Sequence, residues 1–295
     1  MNNKILLPTL VLIAVPAASA QQAPDHPGVI LDGQTFTPRS ILARNMGTPE
    51  EQTAAFPPHK IIGNIYYVGT RKLSSFLIVT PQGNILIDST YERNVRTIQK
   101  SVEQLGFKFS DIKILVGNHA HGDHQEGDAL VKELTGAQVM AMAEDLPELR
   151  AIKPGGKEHP VDRILHDGDS IALGGTTLVA HLTAGHTHGA TLFTAKVADG
   201  AKTYDVVFYS SLRSPTVLTP KHVDEFNHSF DFVHALACEV PLGDHPSEYD
   251  MEAKYAKLSS GGLNPFIDVA RCKKEAYMQE AMFHAILAEQ NSPKD

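Results

Sequence analysis

The chain has 295 residues, 42% of them hydrophobic, which is enough to build a substantial core in one large domain or two small ones. Its formal charge of −8 at pH 7 and the lack of any long Lys/Arg block exclude a nucleic-acid partner, because a phosphate backbone would be repelled.

The first twenty residues stand apart. Lys4 supplies a positive start, Ile5 to Pro16 is mostly apolar, and Ala18-Ser19-Ala20 is a small-residue processing signature. Together they predict a cleaved secretory signal peptide over 1–20 and a periplasmic mature protein. A membrane anchor needs about 20 apolar residues, and neither this stretch nor any later one is that long, so no stable membrane insertion is expected. Cleavage removes Lys4 and takes the formal charge from −8 to −9. Residues 21–295 contain no repeat, low-complexity tract or clear linker, and are expected to form a single domain.

Residues 21 to 60, with several prolines and a polar run, predict an extended arm with short helical pieces. Ile65-Tyr66-Tyr67-Val68 is aromatic and β-branched. Ser75 to Thr80 and Asn84 to Asp88 flank Pro81-Gln82-Gly83, a turn sequence, so a meander of adjacent strands is expected. Val95, Ile98, Val102 and Leu105 fall on one helical face over 94–105, which Gly106 ends. A strand at Ile112 to Val116, a helix at Asp128 to Leu134 and a strand at Gln138 to Ala143 continue the alternation, which favours an α/β layered architecture.

Between the first of these strands and the helix lies His119-Ala120-His121-Gly122-Asp123-His124. Imidazole nitrogens suit zinc, and a carboxylate among three imidazoles suits a second borderline metal beside the first. His119 and His121, two apart, point the same way on an extended chain and can clasp one ion. Gly122 is the expected pivot that lets Asp123 and His124 face another. Each zinc normally takes at least three protein ligands and leaves a position for water, so two further ligands are expected downstream.

Strands are expected at Ser170 to Leu173, Thr176 to Leu182, Thr191 to Lys196 and Asp205 to Tyr209. Amphipathic helices are expected at Phe226 to Leu236, Met251 to Leu258 and Asp268 to Leu287, the last with Ala276, Met278, Met282 and Ile286 facing inward as core filler. Gly185-His186-Thr187-His188-Gly189 and Gly243-Asp244-His245-Pro246 each follow an apolar segment, where strand ends and loops present ligands. Cys238 and Cys272 are the only cysteines. Export makes a disulfide their default state, and neither lies in a ligand cluster.

The HxHxDH cluster, the Gly-His-Thr segment and the late His-Pro resemble the metallo-β-lactamase superfamily, whose fold is a four-layer αββα sandwich. Gly63 to Gly69, Leu73 to Ile78, Asp111-Ile112-Lys113 and Asn264 to Asp268 are similar to subclass B3 of the zinc β-lactamases, as are the positions of the two cysteines. The resemblance covers nearly the whole mature chain. It implies two Zn2+ per chain, the first held by His119, His121 and His186, the second by Asp123, His124 and His245. It also implies Asp123 as the catalytic residue that orients a metal-bound hydroxide, Ser211 as a substrate contact, a Cys238–Cys272 disulfide, and a small-molecule β-lactam substrate. A monomer is expected.

Gly122, His188 and Arg213 depart from the usual pattern, and the chain has no tryptophan, which points either to a wider or differently shaped substrate groove or simply to a divergent member. His188 matches no ligand position and is expected to line the groove or support a ligand. Asp88, at a strand end, either orients a ligand or caps a turn. The same ligand frame also serves hydrolases of lactones or thioesters, iron-dependent oxidoreductases and, outside catalysis, metal-binding proteins, because a fold does not fix a function. Amino-terminal sequencing of the exported protein is expected to begin at Gln21; an exported chain that still began at Met1 would contradict the processing site.

Overall fold

A computed structural model describes residues 23–293, so the signal peptide expected over 1–20 lies outside the described residues. The arm is more ordered than its composition predicts. It holds a hairpin, β1 (Val29–Leu31) and β2 (Gln34–Phe36), and two helices, α1 (Pro38–Met46) and α2 (Pro49–Thr53). Both helices start at a Thr-Pro step, in which Thr37 and Thr48 accept a backbone N–H of the first turn and proline occupies a position that needs no donor. The hairpin strands are three residues long and bury little, which is why no periodicity betrays them.

The first sheet takes its strands in sequence order: β3 (His59–Ile62), β4 (Ile65–Tyr67), β5 (Phe76–Thr80) and β6 (Gly83–Ile87), followed by α3 (Val95–Gln104), β7 (Ile112–Val116), α4 (Gly122–Gln125), α5 (Asp128–Thr135), β8 (Gln138–Met142), α6 (Leu146–Leu149) and β9 (Arg163–Leu165). Pairing is antiparallel from β3 to β6 and parallel from β6 to β9, with helices in the crossovers. The second sheet holds β10 (Ser170–Leu173), β11 (Thr176–Leu182), β12 (Thr191–Asp199) and β13 (Lys202–Tyr209). After α7 (Pro220–Ala235), β14 (Val240–Gly243) adds in parallel to β13, and α8 (Met251–Lys257) and α9 (Lys274–Gln290) close the chain.

Side-chain alternation sorts these strands into layers. Phe76, Ile78, Ile85, Ile87, Ile114 and Val116 point from the first sheet into a core shared with Leu178, Phe193, Val206, Phe208 and Leu242 of the second. The intervening Leu77, Leu86, Leu115 and Val139 pack outward on Val95, Ile98 and Val102 of α3 and Val131 of α5. Leu192 and Val207 of the second sheet meet Phe226, Phe230 and Val233 of α7 and Met282, Phe283 and Ile286 of α9. The result is the αββα sandwich. Central strands are buried on both faces, which is why they read as continuous apolar runs rather than alternating ones.

Two helix starts differ from expectation. α7 begins at Pro220 because Thr219 caps it through a reciprocal box with His222. α9 begins at Lys274 rather than Asp268. Residues 268 to 273 form turns in which Asp268 accepts the Arg271 N–H and Cys272 reaches back to Cys238. The strand β9 was not expected; it is three residues long and only Leu165 is buried. Ala276, Met278, Met282 and Ile286 all face the core. No described helix is long and apolar enough to cross a membrane.

The Cys238–Cys272 disulfide ties the segment before β14 to the turn before α9 across a sequence separation of 34. By loop-closure entropy it stabilises the fold by about 3–4 kcal/mol. The Cys238→Ser/Cys272→Ser double variant is therefore expected to lose about that much unfolding free energy in reversible denaturation; an unchanged midpoint and slope would show that the bridge contributes nothing.

Candidate metal centre

Parallel strands bring their carboxyl ends to one edge, and open α/β sheets present ligand sites there. From that edge β6 is followed by Asp88, β7 by His119 to His124, and β8 by Asp145. In the second sheet β11 leads to His186, β13 to Ser210 through Arg213, and β14 to Asp244 and His245. The ligand candidates thus sit on short exits from rigid strands.

His119 and His121 lie with Nε2 and Nδ1 3.1 Å apart. Two zinc-bound nitrogens at about 2.0–2.1 Å in tetrahedral geometry would be roughly 3.3 Å apart, so this edge suits an ion. The His186 ring is 4.7 Å from each of the other two, centroid to centroid. Asp123 Oδ2 stands 3.3 Å from His124 Nε2 and 3.8 Å from His245 Nε2. Within each of the sets His119/His121/His186 and Asp123/His124/His245, the donor atoms lie within 4.8 Å of one another. A third set, His119/His124/Asp244, satisfies the same limit. The His119 and His124 rings are 4.2 Å apart, so the first two sets adjoin.

Most of these rings have their other nitrogen occupied, which selects the nitrogen left for a metal. His186 Nδ1 donates to the Arg213 carbonyl at 2.7 Å, and His245 Nδ1 to the Lys72 carbonyl at 3.1 Å. His124 Nδ1 donates to Asp88 Oδ2 at 3.1 Å, while Asp88 Oδ1 accepts the Asn118 backbone N–H. Asp88 therefore orients His124 as well as ending its strand. Among the described residues His124 Nε2 is buried without a hydrogen-bond partner, an arrangement that costs free energy unless a further group fills it. The residues present fit a divalent metal pair.

The electrostatics agree. Burial, reinforced by the neighbouring imidazoles, holds His119 well below the usual histidine range. Burial does the same for His186, helped by the Arg213 charge, and pushes His121 down to about 4. Such rings are neutral at pH 7, the form that binds metal. Burial opposes the charge on Asp123, yet His124, His245 and His121 outweigh it and hold the carboxylate far below its ordinary value. Burial likewise opposes protonation of His124, but Asp123 and Asp88 outweigh it and hold the ring well above the ordinary histidine value.

Gly122 does not act as the expected pivot. His121 caps α4 with an extended backbone and Gly122 starts the helix without a positive φ, so the turn needs no glycine. A Cβ there would meet nothing closer than Tyr91 at 3.7 Å, which leaves an open face bordered by Tyr91 and Glu126. Glycine is required instead at Gly185, where φ is +137° and a Cβ would sit 2.9 Å from the Phe226 ring, and at Gly189, where it would sit 2.4 Å from the Asp145 nitrogen. His188 belongs to none of the donor sets; its Nδ1 is held by Glu225 of α7 at 2.9 Å. Ser211 is buried and its Oγ accepts the Arg213 N–H, which leaves its own proton free to donate.

Two carboxylates escaped the sequence reading. Asp145 accepts from the Ala120 N–H, the Gly189 N–H and the Thr187 hydroxyl, joining the two histidine loops, although burial pushes it up to about 6. Only its place after an apolar strand marked it. Asp244 sits beside His245 with its side chain against His119.

Two adjoining three-donor sets at the strand ends of an αββα sandwich mark this edge as a candidate metal-dependent active site. A family model described as the metallo-β-lactamase superfamily matches residues 68–225. The native FEZ-1 metallo-β-lactamase from Legionella gormanii is 40% identical, with a TM-score of 0.78 over 82% of this chain and 99% of that one. BJP-1, a subclass B3 metallo-β-lactamase of Bradyrhizobium japonicum, is 36% identical, with a TM-score of 0.76 over 82% and 97%. The SMB-1 metallo-β-lactamase, solved with mercaptoacetic acid, is 30% identical, with a TM-score of 0.75 over 81% and 99%. The chain belongs to the metallo-β-lactamase superfamily, and its solved neighbours place it with subclass B3.

Asp145→Ala is expected to strand two backbone donors and a hydroxyl, costing on the order of 3–5 kcal/mol of metal-free stability, and to weaken metal uptake. Unchanged denaturation and metal titration curves would contradict its role as the tie between the histidine loops.

Proposed function

We propose that this chain is a periplasmic, monomeric two-zinc β-lactamase whose residues 21–295 form one catalytic domain. The observation that carries the reading is the adjacency of two complete donor sets, His119/His121/His186 and Asp123/His124/His245. Its support from comparison is that FEZ-1, BJP-1 and SMB-1 are named metallo-β-lactamases at 30–40% identity. The first set would hold one Zn2+ and the second another.

Zn2+ held by these residues would supply Lewis acidity for the lactam amide and would lower the pKa of water from about 15.7 towards 7. No side-chain nucleophile is then needed. Asp123 directs Oδ2 towards His124 and His245, and its carboxylate would serve as a ligand of the second ion and orient the attacking water. Asp88, Lys72 and Arg213 fix the rings through the hydrogen bonds given above, so the ligands are positioned before substrate arrives. Ser211 donates its free hydroxyl proton to the substrate. The open face at Gly122 and the charge of Arg213 shape the groove in which the lactam lies.

Purified, zinc-loaded protein is expected to hydrolyse a chromogenic cephalosporin, to lose that activity to a chelator and to regain it with zinc. His121→Ala and Asp123→Ala are expected to lose orders of magnitude in kcat/KM. Brisk lactone or thioester cleavage without lactam opening, or iron with oxygen consumption after native purification, would replace this reading. A metal-loaded but inert protein would leave only a binding function.

A further inference from the structure

Asp244 presents a physical problem that the two proposed zinc sets leave open, although it lies within 4.8 Å of the donor atoms of His119 and His124. Its side chain is 0% exposed, and both carboxylate oxygens lack a hydrogen-bond partner among the described residues. A buried carboxylate without donors costs several kcal/mol unless a cation or a polarised N–H faces it. The nearest imidazole nitrogen described is His119 Nδ1, 3.4 Å from Asp244 Oδ2. Glu248, the other buried acid nearby, accepts from Asn45 Nδ2 through Oε1 at 2.9 Å, and burial together with the Asp244 charge pushes it well above the usual carboxylate range, so it faces Asp244 without offering a compensating charge. Asp244 is itself held in place, because its carbonyl accepts the Ser74 N–H at 3.0 Å and the adjoining His245 is anchored on Lys72.

His119 needs such a partner. Its Nε2 is turned to His121 Nδ1, so Nδ1 must carry the ring proton if Nε2 is to bind a metal. One other acceptor is within reach, Ser210 Oγ at 3.4 Å, but that hydroxyl is neutral and its proton goes to the Asn118 carbonyl. A carboxylate accepts an imidazole N–H more strongly than a neutral oxygen does, and it makes the opposite nitrogen a better donor to a cation.

We propose that Asp244 is the positioning residue of the first metal, accepting the Nδ1–H of His119 and so fixing its ring with Nε2 towards His121 and His186. The inference rests on the reading of His119 as a ligand of that metal. It makes Asp244 a link between the two positions, since its backbone continues into a ligand of the second while its side chain governs a ligand of the first. The buried charge is then matched to the ions: a liability in the metal-free protein and an attraction when zinc is bound.

Asp244→Asn and Asp244→Ala test this together, with Ser210→Ala alongside. Zinc affinity is measured at each position by competition with a chromophoric chelator, and histidine ring N–H signals are followed by NMR in uniformly ¹⁵N-histidine-labelled, zinc-loaded protein. Both Asp244 variants are expected to bind zinc about 10–100-fold more weakly at the first position, with a much smaller change at the second. The carboxylate-shifted His119 ring N–H signal should be lost, and the metal-free variants should melt no lower than the parent. First-position affinity unchanged in both would overturn the proposal. So would a loss reproduced by Ser210→Ala alone, or a fall in metal-free melting temperature in both Asp244 variants, which would make the residue structural. A parent protein that took up no zinc at the first position would overturn the ligand reading itself, and the inference with it.

Discussion

Face-to-face packing of the two sheets sets the position of every candidate metal donor. The candidate donors leave the ends of three strands, β7, β11 and β14, and no two of those strand ends would stay in register without the shared core of Phe76, Ile87, Val116, Phe193, Phe208 and Leu242. Side chains in such a core interlock at crystal-like density, so small shifts are resisted and loops as short as three residues can aim a ring within tenths of an ångström. The helices on the outer faces add to this by covering Leu77, Leu86 and Leu115 on one side and Leu192 and Val207 on the other.

Burial at that edge does a second job. It keeps His119, His121 and His186 neutral, against a solution value that would leave them partly protonated in mild acid. Carboxylates and carbonyls then choose which nitrogen of each ring stays bare: Asp88 for His124, Lys72 for His245 and Arg213 for His186. The first set is therefore three neutral imidazoles, and the second joins a charged carboxylate, Asp123, to rings held by fixed acceptors. Asp145, beneath two histidine loops, belongs to the same design at one remove.

Much of this was legible in the sequence. The long strands follow from unbroken apolar, β-branched runs between turn sequences, and the α3 face and the inward residues of α9 follow from helical periodicity. The donor residues stood out because four metal-capable side chains in six positions have few other uses. Elements decided by tertiary contacts were not visible: the three-residue strands β1, β2 and β9, and the turn over 268–273 that the disulfide and Asp268 stabilise before α9 begins. Gly122 was misread because glycine permits unusual backbone but does not require it, and here the capping position of His121 makes the turn. Asp145 and Asp244 could not be picked from other acids, since their importance lies in partners far away in sequence.

The central claim is that two ions sit in adjoining pockets with a fixed division of donors. A crystal structure of zinc-loaded protein, with anomalous scattering recorded at the zinc edge, tests it most directly. The account predicts two anomalous peaks, one within about 2.0–2.2 Å of His119 Nε2, His121 Nδ1 and His186 Nε2, the other at the same range from Asp123 Oδ2, His124 Nε2 and His245 Nε2. A single peak at full zinc loading, or a peak bound through the nitrogens that face Asp88, Lys72 or Arg213, would contradict it.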